Sequence, residues 1–335
     1  MKLTLHRTFP EDLHAAWNDL LSKSTTHVPF LRYEYQKDWW ATRGGGEWQQ
    51  ADLLIVTAHE GDTLVGVAPL FYTPQTGKPS LLLVGAVEIS DYLDIIALPG
   101  KLEPFLAALL DFLGGVDHPW QELVLHNLLD DSPSLPALQA LAGRLGKECR
   151  VEVLQRSPYI PLPTDWETYL AGVDKKQRHE IRRKMRRAAE LEVPASLYIV
   201  EDAASLDAEI EAFLGLMAQD EAKARFLTGP MQEQMRQTMR MAFTCGCLNL
   251  AFLQFGKEKA AAYLSFDYLN RIWVYNSGFN PRYFETSPGW VLLGHMIQWA
   301  ISNGREALDF MRGDEEYKYR FGAVDRHVVK ATLTR

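Results

Sequence analysis

The chain has 335 residues, 47% of them apolar and 23% charged, an ordinary globular balance that excludes disordered and fibrous classes. That length is long for one core and suits two domains of roughly 150 to 170 residues each. A net charge of −8 argues against general nucleic-acid binding, apolar runs as short as Leu81–Val84 cannot span a bilayer, and three cysteines (Cys149, Cys245, Cys247) form no disulfide framework or zinc cluster.

The N-terminal stretch MKLTLHRTFPEDLHAAW interrupts its apolar residues with His6, Arg7 and two acids, so it does not read as a signal peptide, and a cytoplasmic location is expected. Residues 51–73 then read as strand, tight turn and strand, with EGDT as the turn. A third strand, LLLVGAVEI, follows, and then the pair Pro99-Gly100, a helix over KLEPFLAALLDFL and a strand at QELVLHNL. Within this half, ISDYLDI interrupts an apolar run with Asp91 and Asp94, and carboxylates so placed either face a ligand or cap a turn.

SPYIPLPTDW carries three prolines in ten residues and reads as an extended crossover, so the boundary is drawn between 1–157 and 158–335. Asp174–Glu190 (DKKQRHEIRRKMRRAAE) follows, with eight basic residues against three acidic ones, which leaves −13 for the rest. Lys175, Arg178, Arg182 and Arg186 share one helical face and Ile181, Met185 and Ala189 another. A basic strip in an acidic protein is either a solvated face or the wall of a site for one anionic ligand.

The earlier order then recurs. LNLAFLQFGKEKAAAYLSFDY reads as a second hairpin, RIWVYNSGF as a third strand, Pro288-Gly289 as the pair, WVLLGHMIQWAIS as the helix and EALDFMRG as the closing strand. This is the signature of an internal duplication. Each half mixes antiparallel strands with helices, so the expected class is α+β.

Two segments of the second half carry chemistry. In NPRYFETSPGWVLLGHM, Ser287, Pro288 and Gly289 open a helix, whose free N–H groups and positive dipole end suit a pyrophosphate, though Ser287 would equally serve as a plain cap. In DFMRGDEEYKYRFG (Asp309–Gly322), acidic residues and Arg312, Lys318 and Arg320 crowd just past a strand end. No P-loop, GxSxG, GxGxxG or metal-binding histidine spacing occurs, and no metal is expected.

The basic helix, the F-N-x(6)-S-P-G-x-x-L turn (Phe279–Leu292) and D-F-M-R-G-x(3)-Y-K-x-x-F-G, with a weaker S-D-Y-x-D (Ser90–Asp94), resemble the CelD-like acetyltransferases of the GNAT superfamily, relatives of the Fem-type peptidyltransferases. The resemblance covers residues 50–330 or so. It implies tandem GNAT-like domains, each a mostly antiparallel sheet flanked by helices, the first without its own donor site. It implies transfer of an acetyl or acyl group from acetyl-CoA or another acyl-CoA to an amine or hydroxyl of a small-molecule or sugar acceptor, as in polysaccharide and cell-envelope work. The family's diphosphate turn carries two glycines, whereas TSPGWV has one.

On this resemblance Asn276, Ser277 and Gly278 offer backbone N–H groups to the thioester, and Ser287, Pro288 and Gly289 hold the donor's phosphates. Lys318 stabilises charge on the acyl oxygen or a substrate anion, Tyr317 is the acid, and either Asp309 or Glu315 is the base. Arg312, Asp91, Tyr92, Arg178 and Arg182 are expected at the substrate, the last two within the anion-binding helix 174–190. Two alternatives stay open: a Fem-like transferase that takes its group from aminoacyl-tRNA, and a non-catalytic binding protein on the same scaffold. Fem-type proteins carry a long helical hairpin in the second half, where Asp202–Phe243 here suggests ordinary helices.

Overall fold

The computed structural model describes residues 1–335. In chain order the first part runs β1 (Lys2–His6), α1 (His14–Lys23), α2 (Tyr33–Gly46), β2 (Asp52–Glu60), β3 (Thr63–Thr73), β4 (Ser80–Leu83), β5 (Ile96–Ala97), α3 (Leu102–Gly114), β6 (Glu122–Leu129), α4 (Ser134–Arg144) and β7 (Cys149–Arg156). The second runs β8 (Tyr159–Pro161), α5 (Trp166–Gly172), α6 (Lys175–Ala189), β9 (Ala195–Ile199), α7 (Leu206–Met217), α8 (Glu221–Phe226), α9 (Gly229–Thr244), β10 (Leu248–Phe255), β11 (Glu258–Tyr268), β12 (Arg271–Phe279), α10 (Pro288–Ser302), β13 (Ala307–Asp309) and α11 (Glu316–Arg320). The chain ends in β14 (His327–Thr334). No helix is long and apolar enough to cross a membrane.

Two compact units result: Met1–Gln155 with His327–Arg335, and Arg156–Arg326. The last strand therefore leaves the expected 158–335 domain. Val328, Val329, Ala331 and Leu333 are buried, and β14 pairs antiparallel with β6, Leu333 opposite Leu123. The first sheet is eight-stranded in the order β1-β2-β3-β4-β6-β14-β7, with β5 on β3. The second is six-stranded in the order β8-β13-β12-β11-β10-β9. Each is mixed and mostly antiparallel, with one parallel pair, β4 with β6 and β12 with β13, joined by a helix. The fold is α+β, and strand, helices, three antiparallel strands, helix and parallel strand occur in that order in both units.

Alternation sorts the second sheet's residues to two sides. Leu253, Ala261, Tyr263 and Val274 pack with α10 residues such as Leu292 and Met296, while Leu250, Phe252, Ala262 and Leu264 pack with Phe213 and Met217 of α7 and Met239 of α9. A Cβ on Gly294 of α10 would lie 2.7 Å from Met185 Sδ, so α6 and α10 pack with their axes close.

Two expected strands are shorter than the sequence suggests. LLLVGAVEI ends as a strand at Leu83, because Gly85 takes φ +107° and a Cβ there would meet Leu93 Cδ2 at 2.6 Å. Residues beyond it fold back and are stitched down: Leu93 N–H donates to Asn127 O, and Asn127 Nδ2 donates to Val87 O and Ser90 O. EALDFMRG ends as a strand at Asp309, whose Oδ1 accepts the Met311 N–H at 2.8 Å while Met311 turns left-handed at φ 55°.

Candidate active site

The early end of β13 opens the second sheet. β13 pairs with β12 only through Arg271–Ala307, Ile272–Leu308 and Trp273–Asp309. The rest of β12, from Val274 to Phe279, therefore has β11 on one side and no strand on the other. A pocket of about 270 Å³ lies at this end of the sheet, lined by Ala261, Tyr263, Ser277, Gly278 and Phe279 of the strands, Gly289, Trp290 and Leu292 of α10, and Tyr317 of α11. The alanines of β11 keep that wall low, since a larger side chain at 261 would fill the space.

The first turn of α10 forms one wall. Ser287 is left-handed (φ 53°, ψ 54°) and makes no side-chain cap; Pro288 has no N–H to offer. The Val291 N–H already donates to Ser287 O at 3.1 Å. The Gly289 and Trp290 N–H groups are left at the positive end of a 15-residue helix. A Cβ on Gly289 would meet nothing within 4 Å, so this glycine leaves room for a ligand to approach the backbone. Its counterpart in the other unit differs: Gly100 lies before α3 at φ +77°, so the two Pro-Gly pairs do different work. Gly278 differs again. A Cβ there would be 2.5 Å from Met217 N and 2.6 Å from Leu216 C, so its need for glycine comes from the close approach of α7. Lys184 of α6 lies over the Trp290 ring at 4.1 Å, bringing a positive charge to the helix start.

Tyr317 closes the pocket from α11. Its ring meets Phe310 edge-on at 6.0 Å, and it lines the pocket together with Tyr263. Burial, and then the Glu315 charge, push the Tyr317 hydroxyl well above its ordinary range, so it is protonated at neutral pH. Burial alone would raise the Glu315 carboxyl, but the Lys318 hydrogen bond and the charges of Lys318 and Lys223 take it below the usual value.

Several expected residues have other work. Lys318 is 3% exposed; its Nζ reaches Gly313 O at 2.9 Å, Arg312 O at 3.3 Å, Phe310 O at 3.4 Å and Glu315 Oε2 at 2.8 Å. All its hydrogens fasten the loop after β13, which corrects the expectation that it serves an acyl oxygen. Asp309 is wholly buried, ion-paired with Arg326 and bonded to the Met311 N–H, so it is a structural carboxylate and not the base. Arg178 Nη1 donates to Leu170 O and Ala171 O at 3.4 Å, and Arg182 pairs with Glu167. These two arginines tie α6 to α5. Arg312 is half-buried. Asp91 and Tyr92 belong to the first unit, both buried, beside Asp94, whose carboxylate accepts from Ser132 Oγ, Thr26 Oγ1, Ser134 Oγ and the Ile95 N–H.

Of the six expected donor-side residues, Ser277, Gly278 and Gly289 line one pocket with Tyr317, while Asn276, Ser287 and Pro288 do not line it. Asn276 sits beside Ser277, its Oδ1 accepting the Ser277 N–H at 2.8 Å. Sequence reasoning missed Tyr263, Trp290 and Lys223. The run Ala260-Ala261-Ala262 in a central strand was a readable sign of a cavity. Lys223, in an ordinary charged helix, carried none.

A family model described as an acetyltransferase (GNAT) domain matches residues 175–319, within the second unit. No curated protein matches the chain. Among solved structures, FemX is similar over 99% of this chain and 97% of its own, with TM-score 0.68 and 10% identity. L-PGS from Bacillus licheniformis is similar over 97% and 92%, with TM-score 0.59 and 11% identity. A tandem GNAT protein from the clavulanic acid biosynthesis pathway is similar over 98% and 97%, with TM-score 0.50 and 12% identity. At such identities the likeness is one of fold.

Proposed function

We propose that the second unit is an acyltransferase that moves an acyl group from a CoA thioester to an amine or hydroxyl acceptor. The observation that carries this is the pocket at the opened parallel pair, walled by the α10 start and by a protonated tyrosine. The residues fit such a donor. The Gly289 and Trp290 N–H groups with Lys184 would hold its diphosphate, and the open space at Gly289 admits it. The open side of β12 leaves space for the donor's extended arm to lie along the strand. The donor supplies an activated thioester. The D-F-M-R-G-x(3)-Y-K-x-x-F-G motif supports a CelD-like enzyme, and the first unit serves as scaffold, since the residues beyond β4 are packed down on β6.

In the transfer, a bond forms between the acceptor's nitrogen or oxygen and the acyl carbon, and the carbon–sulfur bond breaks. Tyr317 donates a hydrogen bond to the departing thiolate, which leaves as the thiol with the proton released by the acceptor, so the tyrosine ends the cycle unchanged. Glu315, held ionised, receives the acceptor's proton directly or through water. The test is release of free CoA thiol from acetyl-CoA with a panel of amines and amino sugars. Acceptor-dependent thiol release is expected. No release with any acceptor, together with acyl transfer from aminoacyl-tRNA, would replace this reading with a Fem-like one.

A further inference from the structure

The opened edge of β12 carries a donor that no expectation included. Hydrogen bonds alternate along an antiparallel pair. The Asn280 N–H donates to Ala260 O at 2.8 Å, and the register sets Gly278 opposite Ala262 and Ser277 opposite Tyr263. The N–H and C=O of Ser277 therefore turn away from β11, toward the side that β13 has left. Both are already engaged within the protein. Asn276 Oδ1 accepts the Ser277 N–H at 2.8 Å, and Lys223 Nζ donates to Ser277 O at 2.5 Å and meets Ser277 Oγ at 3.1 Å. At this residue the backbone N–H is spent, and the hydrogen-bond donor on offer is an ammonium group.

Lys223 is well placed for this. It lies on α8, whose start is capped by Asp220 Oδ1 accepting from the Ala222 and Lys223 N–H groups at 2.9 and 3.0 Å. α8 follows α7, which packs on the sheet face opposite α10. The side chain reaches the opening from the side away from the helix start that would hold phosphates. Two of its three N–H bonds meet Ser277, a residue that lines the pocket. Burial pulls its pKa down, and the Asp220 and Glu315 charges oppose that pull.

We propose that Lys223 is a catalytic residue: its ammonium donates a hydrogen bond to the thioester carbonyl oxygen and bears the negative charge that develops there, in place of a strand N–H. This rests on the acyl-thioester reading above. Loss of one such donor lowers turnover by about 10²- to 10³-fold.

The test needs no acceptor. Infrared difference spectra are taken of acetyl-CoA, isotope-labelled at the thioester carbonyl, bound to wild type, Lys223→Met and Lys223→Arg, with circular dichroism checking the fold. The carbonyl stretch is expected to fall on binding to wild type, to stay low in Lys223→Arg, and to return toward the free value in Lys223→Met while binding persists. An unchanged low stretch in Lys223→Met overturns the proposal. So does a wild-type complex whose stretch equals that of free acetyl-CoA, which needs no variant. Failure of wild type to bind acetyl-CoA at all is a different outcome and overturns the acyl-CoA reading itself.

Discussion

Removing one hydroxyl at Tyr317 separates its chemistry from its packing. Tyr317→Phe keeps the ring against Phe310 and loses the proton at the pocket. Turnover is expected to fall about 10²-fold or more with acetyl-CoA affinity unchanged, measured by steady-state kinetics beside calorimetry. Lys318 gives the opposite pattern. Lys318→Met strips a donor from three backbone carbonyls and a partner from Glu315, so stability should drop by about 2 to 4 kcal/mol in urea denaturation. The sequence motif names both residues in one breath, Y-K, and cannot tell them apart. One faces the pocket and its neighbour faces the loop, because adjacent residues on a helix point about 100° apart. Glu47 adds a pH effect in the first unit. Burial, with the nearby Glu88 charge, raises its carboxyl to about 7, against Val87 and Glu88 N–H groups that pull it down. The folded state then holds a proton that the unfolded state has released, so its contribution is full below about pH 4.5 and is lost as pH rises through about 7. Glu47→Gln should flatten that fall in stability, followed by urea denaturation between pH 5 and about 8.

At the scale of elements, two glycines in one pocket should respond oppositely. Gly278→Ala drives a Cβ into the α7 backbone, which cannot move like a side-chain tip, so about 1 to 3 kcal/mol of stability should be lost. Gly289→Ala meets open space and, within a helix, should leave the melting temperature unchanged or slightly raised while weakening donor binding. Their separate causes were not legible in the sequence, where both read as ligand-facing. The elements themselves were legible: both hairpins, β12, α3 and α10 follow the periodicity within a residue or two. The ends of β4 and β13 were not, because Gly85 and Met311 take left-handed backbone for reasons of packing and side-chain bonding that periodicity does not record. The opening at β13 makes the pocket, so the least legible boundary is the one the proposed site depends on.

At the scale of the whole chain, the repeated order was readable and the return of the last strand was not. His327–Thr334 is far in sequence from the rest of the first sheet, and pairing between β6 and β7 brings it there. Removing residues 327–335 should therefore damage the first unit, exposing the β6 edge and the core beneath Val328 and Leu333, with loss of cooperative unfolding and faster proteolysis within 1–155. On α6, Arg182 pairs with Glu167 of the neighbouring helix, a contact that sequence spacing does not reveal. What the fold keeps of the basic helix is Lys184, stacked on Trp290 at the start of α10. Binding of a CoA thioester at this helix start in the second unit is checked by calorimetric titration of acetyl-CoA into wild type and Gly289→Val. One saturable site in wild type, abolished in a Gly289→Val protein of unchanged melting temperature, is the predicted result; no binding to wild type, or equal binding to both, contradicts it.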